Sequence, residues 1–194
     1  MTAGLILAAG ESRRMGSPKA LLEYKGETFL DRLIGLFARY CSPVIAVLGA
    51  HQERVRAGIR RGGEALLVEN PDFQLGQLSS MQCGLRAVPA ESEGVLFTLA
   101  DHPAVCADTL AALLTGDPSA PLRIPQYAGR RGHPIWFSRA LIAEFLALPA
   151  TSSAREVVTS HAERIAYIPV EDPGILADVD DPGAYAALLA GSQV

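Results

Sequence analysis

The chain has 194 residues, 49% of them hydrophobic, which is enough apolar material for one core in a domain of ordinary size. A chain of this length buries about 70% of the surface it exposes when unfolded, so it needs neither a disulfide nor a structural metal to fold. The 17 basic and 21 acidic side chains leave a net charge of −4, which disfavours a broad field for nucleic acid or a membrane surface and requires any anionic ligand to be held by a local site.

Cys41, Cys83 and Cys106 are odd in number, widely spaced and in no CxxC pair. That pattern argues against a disulfide framework or a zinc site, fits a reducing cytosol, and leaves the three thiols as small apolar residues. The first ten residues lack a basic n-region and break at Gly10, and no stretch approaches the roughly 18 to 20 apolar residues of a membrane span. The expectation is a soluble, cytoplasmic protein with a single domain over 1–194.

In chain order, residues 5–8 form a buried strand, and Phe29, Leu30, Leu33, Ile34 and Phe37 then recur at helical spacing, which makes one β-loop-α step. Strands are predicted over 44–48, 65–68 and 95–99, with helices over 53–61 and 79–88 between them. Apolar runs without polar alternation suit strands covered by helices on both faces. The expected fold class is therefore α/β, a three-layer, Rossmann-like arrangement with a mostly parallel sheet. After Asp101 the pattern loosens into a helix over 108–114, a Pro/Gly-rich stretch over 116–134, and Ile135, Trp136 and Phe137 feeding a helix to about Leu148. Antiparallel strands are expected to be inserted here. A helix over 153–161, a strand over 165–170 and a helix after Pro182 complete the chain, with no linker, repeat or low-complexity tract.

The most informative segment runs from Leu7 to Leu22, a small-residue loop at the carboxyl end of the first strand, where open α/β sheets bind ligands. Ala8, Ala9 and Gly10 leave backbone N–H groups uncovered, so these can approach phosphate oxygens and a nucleobase, while Arg14 and Lys19 add positive charge against a triphosphate. Five residues separate Gly10 from Gly16 and Lys19 does not follow the second glycine, so the loop is not GxxxxGK; nor does it offer GxGxxG. An ordinary βα turn with solvated arginines is the bland alternative for the two glycines alone.

The whole string decides between them. Leu7, Ala8, Ala9, Gly10, Ser12, Arg14, Met15, Gly16, Pro18, Lys19, Leu21 and Leu22 fit LAAGxSxRMGxPKxLL, which resembles the fingerprint of the MobA-like nucleotidyltransferases and specifically of the molybdenum cofactor cytidylyltransferases. The resemblance implies that this loop wraps the nucleotide, that Arg14 and Lys19 hold its phosphates, and that pyrophosphate leaves. Relatives using guanine nucleotides typically carry Gly-Gly in the loop, so Ala8-Ala9 tilts the expectation toward CTP.

Gly76, Ser79 and Ser80 lie in a segment that resembles the family's second, base-contacting element, although serines at a helix start also serve as caps. Asp101, just past an apolar strand, matches the aspartate of an LADxP motif that binds Mg²⁺ in the family; a turn or cap residue is the alternative. His102 stands where many relatives have Gln. Mg²⁺ takes oxygen ligands and needs only one or two carboxylates beside phosphates and water. The run 178–182 resembles a DxDTP motif and makes Asp180 the second Mg²⁺ ligand, with Asp178 as substitute, while Asp181 before Pro182 reads as a helix cap.

His133 and Pro134, in a GHPxxF-like element, are implied to line the acceptor side; Arg130 and Arg131 upstream could meet an acceptor phosphate, and His51 and His161 read as structural. The resulting expectation is transfer of CMP from CTP to the terminal phosphate of a molybdopterin-type acceptor, the product serving an apo-molybdoenzyme. Alternatives are another phosphorylated acceptor, such as a sugar or alcohol phosphate, or a non-catalytic delivery protein.

Overall fold

The computed structural model describes residues 1–191. In chain order these form β1 (Thr2–Ala8), a hairpin of β2 (Glu23–Tyr24) and β3 (Glu27–Thr28), α1 (Phe29–Phe37), β4 (Val44–Leu48), α2 (Gln52–Gly58), β5 (Leu66–Glu69), α3 (Gln77–Leu85), β6 (Gly94–Leu99), α4 (Ala107–Thr115), β7 (Leu122–Tyr127), β8 (Arg130–Arg131), β9 (Ile135–Ser138), α5 (Ile142–Ala147), α6 (Arg155–Ser160), β10 (Ile165–Pro169) and α7 (Pro182–Ala190).

The strands lie in the order β10-β7-β9-β6-β1-β4-β5. β1 sits between β4 and β6 and runs parallel to both, and only β9, antiparallel to β6 and β7, interrupts the parallel path. The short β8 pairs with β7 off this path, also antiparallel. Alternation along each strand sends side chains to opposite faces. Leu5, Leu7, Ile45, Val47, Val95 and Phe97 pack with α3, α5 and α6 on one face, while Ile6, Val44, Ala46, Leu48 and Leu96 pack with α1, α2 and α4 on the other. This is the expected three-layer α/β/α fold. At Gly84 of α3 a Cβ would lie 2.4 Å from Leu5 Cδ1 and 2.7 Å from Val47 Cγ2, so only glycine lets the helix approach the sheet this closely.

One predicted boundary is corrected, and two elements whose bounds were not predicted are located. The helix predicted over 53–61 stops at Gly58, because the N–H groups of Arg60 and Arg61 donate to the buried Asp31 carboxylate at 2.9 and 2.8 Å instead of to helical carbonyls. The Pro/Gly-rich stretch contains β7, in which Pro125 lies beyond the residues paired with β9, so its missing N–H costs no ladder bond there. The β2–β3 hairpin turns through Lys25 and Gly26, both at positive φ, and belonged to no predicted element. No helix among the described residues is long and apolar enough to cross a membrane.

Candidate active site

The carboxyl ends of β1, β4 and β6 open into a cleft of about 460 Å³. Its floor is the loop after β1. Ala8, Ala9 and Gly10 line it with little more than backbone, and Ser12 and Gly16 take positive φ, which bends the loop back on itself. The Ser12 hydroxyl accepts from the N–H of Lys19 at 3.0 Å and the Ser12 carbonyl from Met15 N–H at 2.9 Å, so this serine closes the loop and starts the turn carrying Lys19.

The segment after β4 braces the loop from below. Ala50 N–H donates to the Ala9 carbonyl at 3.2 Å, and His51 Nε2–H donates to the Glu11 carbonyl at 3.0 Å. His51 therefore has a structural bond, yet its ring also lines the cleft, together with Phe73, Gln74 and Gln77. The sequence reading missed these four; the signal for His51 was its place just past the carboxyl end of a buried strand.

At the other end of the cleft the charged residues meet. Lys19 Nζ lies 2.6 Å from Asp180 Oδ1 and 3.2 Å from Asp101 Oδ2, and Arg14 Nη2 lies 2.8 Å from Asp180 Oδ2. The Lys19 hydrogen bond first, and that of Arg14 second, hold the Asp180 carboxyl below the usual carboxylate range. Val179 N–H donates to the Asp101 carbonyl at 2.9 Å, and Asp181 caps α7 by accepting from Ala184 N–H at 2.9 Å; together these bonds fix Asp180 across from Asp101. Asp178 is not among the residues lining the cleft.

Asp101 Oδ1 is buried without a hydrogen-bond partner, and His102 Nε2 lies 3.7 Å from it. The His102 ring sits 5.0 Å from that of His133, and each leaves a buried Nδ1 without a partner. Burial lowers the pKa of both; for His133 it reaches about 4, with His102 contributing second.

Leu7, Gly76 and Ser80 also line the cleft, so most of the residues singled out in the sequence converge there. Ser79, His133 and Pro134 do not. The Ser79 hydroxyl faces its own loop, donating to the carbonyls of Gly76 and Asp72 at 2.8 and 2.9 Å. The His133 N–H donates to the Ile175 carbonyl at 3.0 Å, and Gly132 packs so tightly there that a Cβ would sit 2.1 Å from the same oxygen. The His133 backbone thus braces the segment leading to Asp180, and Pro134 beside it is buried. Arg131 stacks on Tyr167, its guanidinium 4.3 Å from the ring centre.

Residues 4–165 match the MobA-like NTP transferase domain. The chain belongs to that family. Members are nucleotidyltransferases that use nucleoside triphosphates, and this chain is an enzyme of that kind. It is 26% identical over 183 residues to the molybdenum cofactor cytidylyltransferase of Escherichia coli K12, across 93% of this chain and 92% of that one. It is 32% identical over 141 residues to the nicotine blue oxidoreductase of Paenarthrobacter nicotinovorans, across 68% of each chain. Rv0371c of Mycobacterium tuberculosis H37Rv superposes with a TM-score of 0.84 at 29% identity, covering 98% of both chains. The manganese complex of Rv0371c superposes at 0.80 with 28% identity, covering 97% of this chain and 98% of that one.

Proposed function

We propose that this MobA-like protein transfers CMP from CTP to the terminal phosphate of a molybdopterin-type cofactor, releasing pyrophosphate, with Mg²⁺ as the metal. The observation that carries this reading is the Lys19 ammonium held between the Asp101 and Asp180 carboxylates at the mouth of a loop whose backbone is bare. Two carboxylates facing each other across a cation, one of them with a buried oxygen lacking any partner, are a donor set for a hard divalent ion. Among the described residues no group of three or more His, Cys, Asp or Glu is gathered, so phosphate and water would complete the shell. Bound there, the ion would supply charge stabilisation at the α-phosphoryl oxygens.

The chain's own groups do the rest. Backbone N–H groups of Ala8, Ala9 and Gly10 meet the nucleotide, and Gly76 and Ser80 form the opposite wall. Lys19 and Arg14 offset the triphosphate charge and the charge that builds on the leaving pyrophosphate. An acceptor phosphate is already ionised at neutral pH, so no protein nucleophile or base is required; its oxygen bonds to the α-phosphorus as the bond to the β-phosphate bridge breaks. Positioning is then the enzyme's main contribution. We assign His133 and Pro134 to the acceptor side through the segment that the His133 backbone holds and through the His102 ring, which lies 5.0 Å from that of His133 and 3.7 Å from Asp101 Oδ1. The name of the E. coli relative, a molybdenum cofactor cytidylyltransferase, favours a cofactor of that kind as acceptor; delivery of the product to an apo-molybdoenzyme is part of the same proposal. An oxidoreductase reading has the second relative in its favour, but the loop lacks the dinucleotide fingerprint.

The test is pyrophosphate release by the purified protein with Mg²⁺ or Mn²⁺, comparing CTP, GTP, ATP and UTP with and without molybdenum-loaded molybdopterin. Release confined to CTP plus that acceptor is expected. Release with a sugar or alcohol phosphate instead would move the acceptor, and nucleotide binding without release under any condition would make this a delivery protein. Oxidation of NAD(P)H without pyrophosphate release would overturn the transferase reading.

A further inference from the structure

The nucleotide wall opposite the β1 loop is built on a residue that never reaches the cleft. Asn70, just after β5, is 5% exposed, and its N–H donates to the Leu48 carbonyl at 2.8 Å, anchoring it to β4. The orientation of its side-chain amide is settled by chemistry. Oδ1 accepts from the N–H of Asp72 at 3.0 Å, a group that can only donate, so Nδ2 must face α3. There it donates to Ser79 Oγ and to Ser80 Oγ, each at 2.9 Å, which uses both amide hydrogens.

The two serines then differ. Ser79 returns its one hydroxyl hydrogen to the carbonyls of Gly76 and Asp72, so it is satisfied within the protein. Ser80 accepts from Asn70 but, among the described residues, has no acceptor for its own hydrogen. It is buried, 3% exposed, and it lines the cleft wall that Phe73 and His51 continue. A free serine hydroxyl can present either a hydrogen or a lone pair to a ligand. With Asn70 donating to one lone pair, the hydrogen and the second lone pair of Ser80 are left without a partner among the described residues.

We propose that Asn70 is a positioning residue for base recognition: it holds the Ser80 hydroxyl by one lone pair and leaves its hydrogen free to donate, so that the cleft favours a base edge presenting an acceptor atom, such as O2 or N3 of cytosine. This inference rests on the nucleotide reading above and extends it to a residue outside the cleft. Asn70→Asp keeps the acceptor for Asp72 N–H and the size of the side chain but cannot donate to Ser80. The Ser80 hydrogen then turns to the carboxylate and the cleft is offered only a lone pair.

The experiment is a double-mutant cycle read by calorimetric binding of CTP, with the four nucleoside triphosphates first titrated against the unmodified protein. Asn70→Asp is expected to weaken CTP binding about tenfold when Ser80 is present and less than twofold in a Ser80→Ala background, a difference of the size of one hydrogen bond. Asn70→Ala, which frees the hydroxyl rather than reversing it, is expected to cost about threefold, again only with Ser80 present. It serves as the second arm of the cycle if the aspartate variant does not fold. Equal losses with and without the Ser80 hydroxyl would mean that Asn70 only supports the fold and would overturn the proposal while leaving nucleotide binding intact. Binding of none of the four triphosphates would remove the nucleotide reading itself, and this inference with it.

Discussion

Val179 donates its backbone N–H to the carbonyl of Asp101 at 2.9 Å, and this single bond joins the loop before the last helix to the end of a central strand. It brings Asp180 to the rim of the cleft opposite Asp101, although nothing between them in sequence belongs to the cleft. Two carboxylates fixed in this way leave little freedom for the cation between them. If they hold the metal, Asp101→Asn should lower turnover at least about 10²-fold, the scale of losing one preorganised charge contact in a transition state. Asp101 is largely but not fully buried, and asparagine preserves its shape, so thermal unfolding should move by only a few degrees. Near-normal turnover of this variant at saturating Mg²⁺ would remove Asp101 from the metal.

Gly49 tests the floor of the cleft. A Cβ there would lie 2.6 Å from the Ala9 carbonyl oxygen and 2.8 Å from both Ala9 Cβ and Phe73 Cβ, so backbone has to move rather than a flexible side-chain tip. Gly49→Ala is expected to cost about 1–3 kcal/mol of stability, the usual range for overpacking. Because Ala9 and Phe73 both line the cleft, it should also raise KM for the nucleotide. A variant with unchanged KM and unchanged denaturation midpoint would show that the loop gives way freely.

The pH dependence of stability follows from His133. Burial, with His102 second, pushes its pKa down to about 4. The unfolded chain has this group near the ordinary histidine value of about 6.5. Between those values the unfolded state holds a proton that the folded state does not. Stability is therefore full at neutral pH, falls as pH drops through the window from about 6.5 to about 4, and does so by at most about 1.4 kcal/mol per pH unit from this residue. Urea unfolding of the protein and of His133→Phe at pH 7, 6 and 5 should give a shallower loss for the variant. Parallel losses would place the acid sensitivity elsewhere.

The strands of the sheet and the loop after β1 were legible because their signals are local. Residues 44–48 and 95–99 are apolar without alternation, and the string around Gly10 and Lys19 is continuous in sequence. Features set by tertiary contacts were not. The α2 helix ends where Asp31, a residue of α1, captures the N–H groups of Arg60 and Arg61. β7 was masked by Pro125, whose missing N–H matters only if one knows where the neighbouring strand stops. Ser79 and Ser80 are adjacent and chemically identical in sequence, and Asn70 donates to both, yet the wall of the cleft uses one and the loop absorbs the other, a distinction made by the Gly76 and Asp72 carbonyls that take the Ser79 hydrogen. His51 was read as structural, and its bond to Glu11 agrees with that, but its ring also faces the cleft.

Lys19 and Arg14 carry the same charge toward Asp180 and should not matter equally. Lys19 is 17% exposed and bonds both carboxylates, whereas Arg14 is 66% exposed and bonds only Asp180. Charge in the drier position is screened less by water and by salt, so it is worth more to a triphosphate and to the charge developing on pyrophosphate. Lys19→Met should therefore cost about 10²- to 10³-fold in kcat, and Arg14→Met about tenfold or less, with the arginine effect shrinking further as ionic strength rises. Steady-state rates of both variants in low and high salt check the ranking. Equal losses, or an arginine loss indifferent to salt, would mean that Arg14 closes over the phosphates and loses its solvent exposure when nucleotide binds.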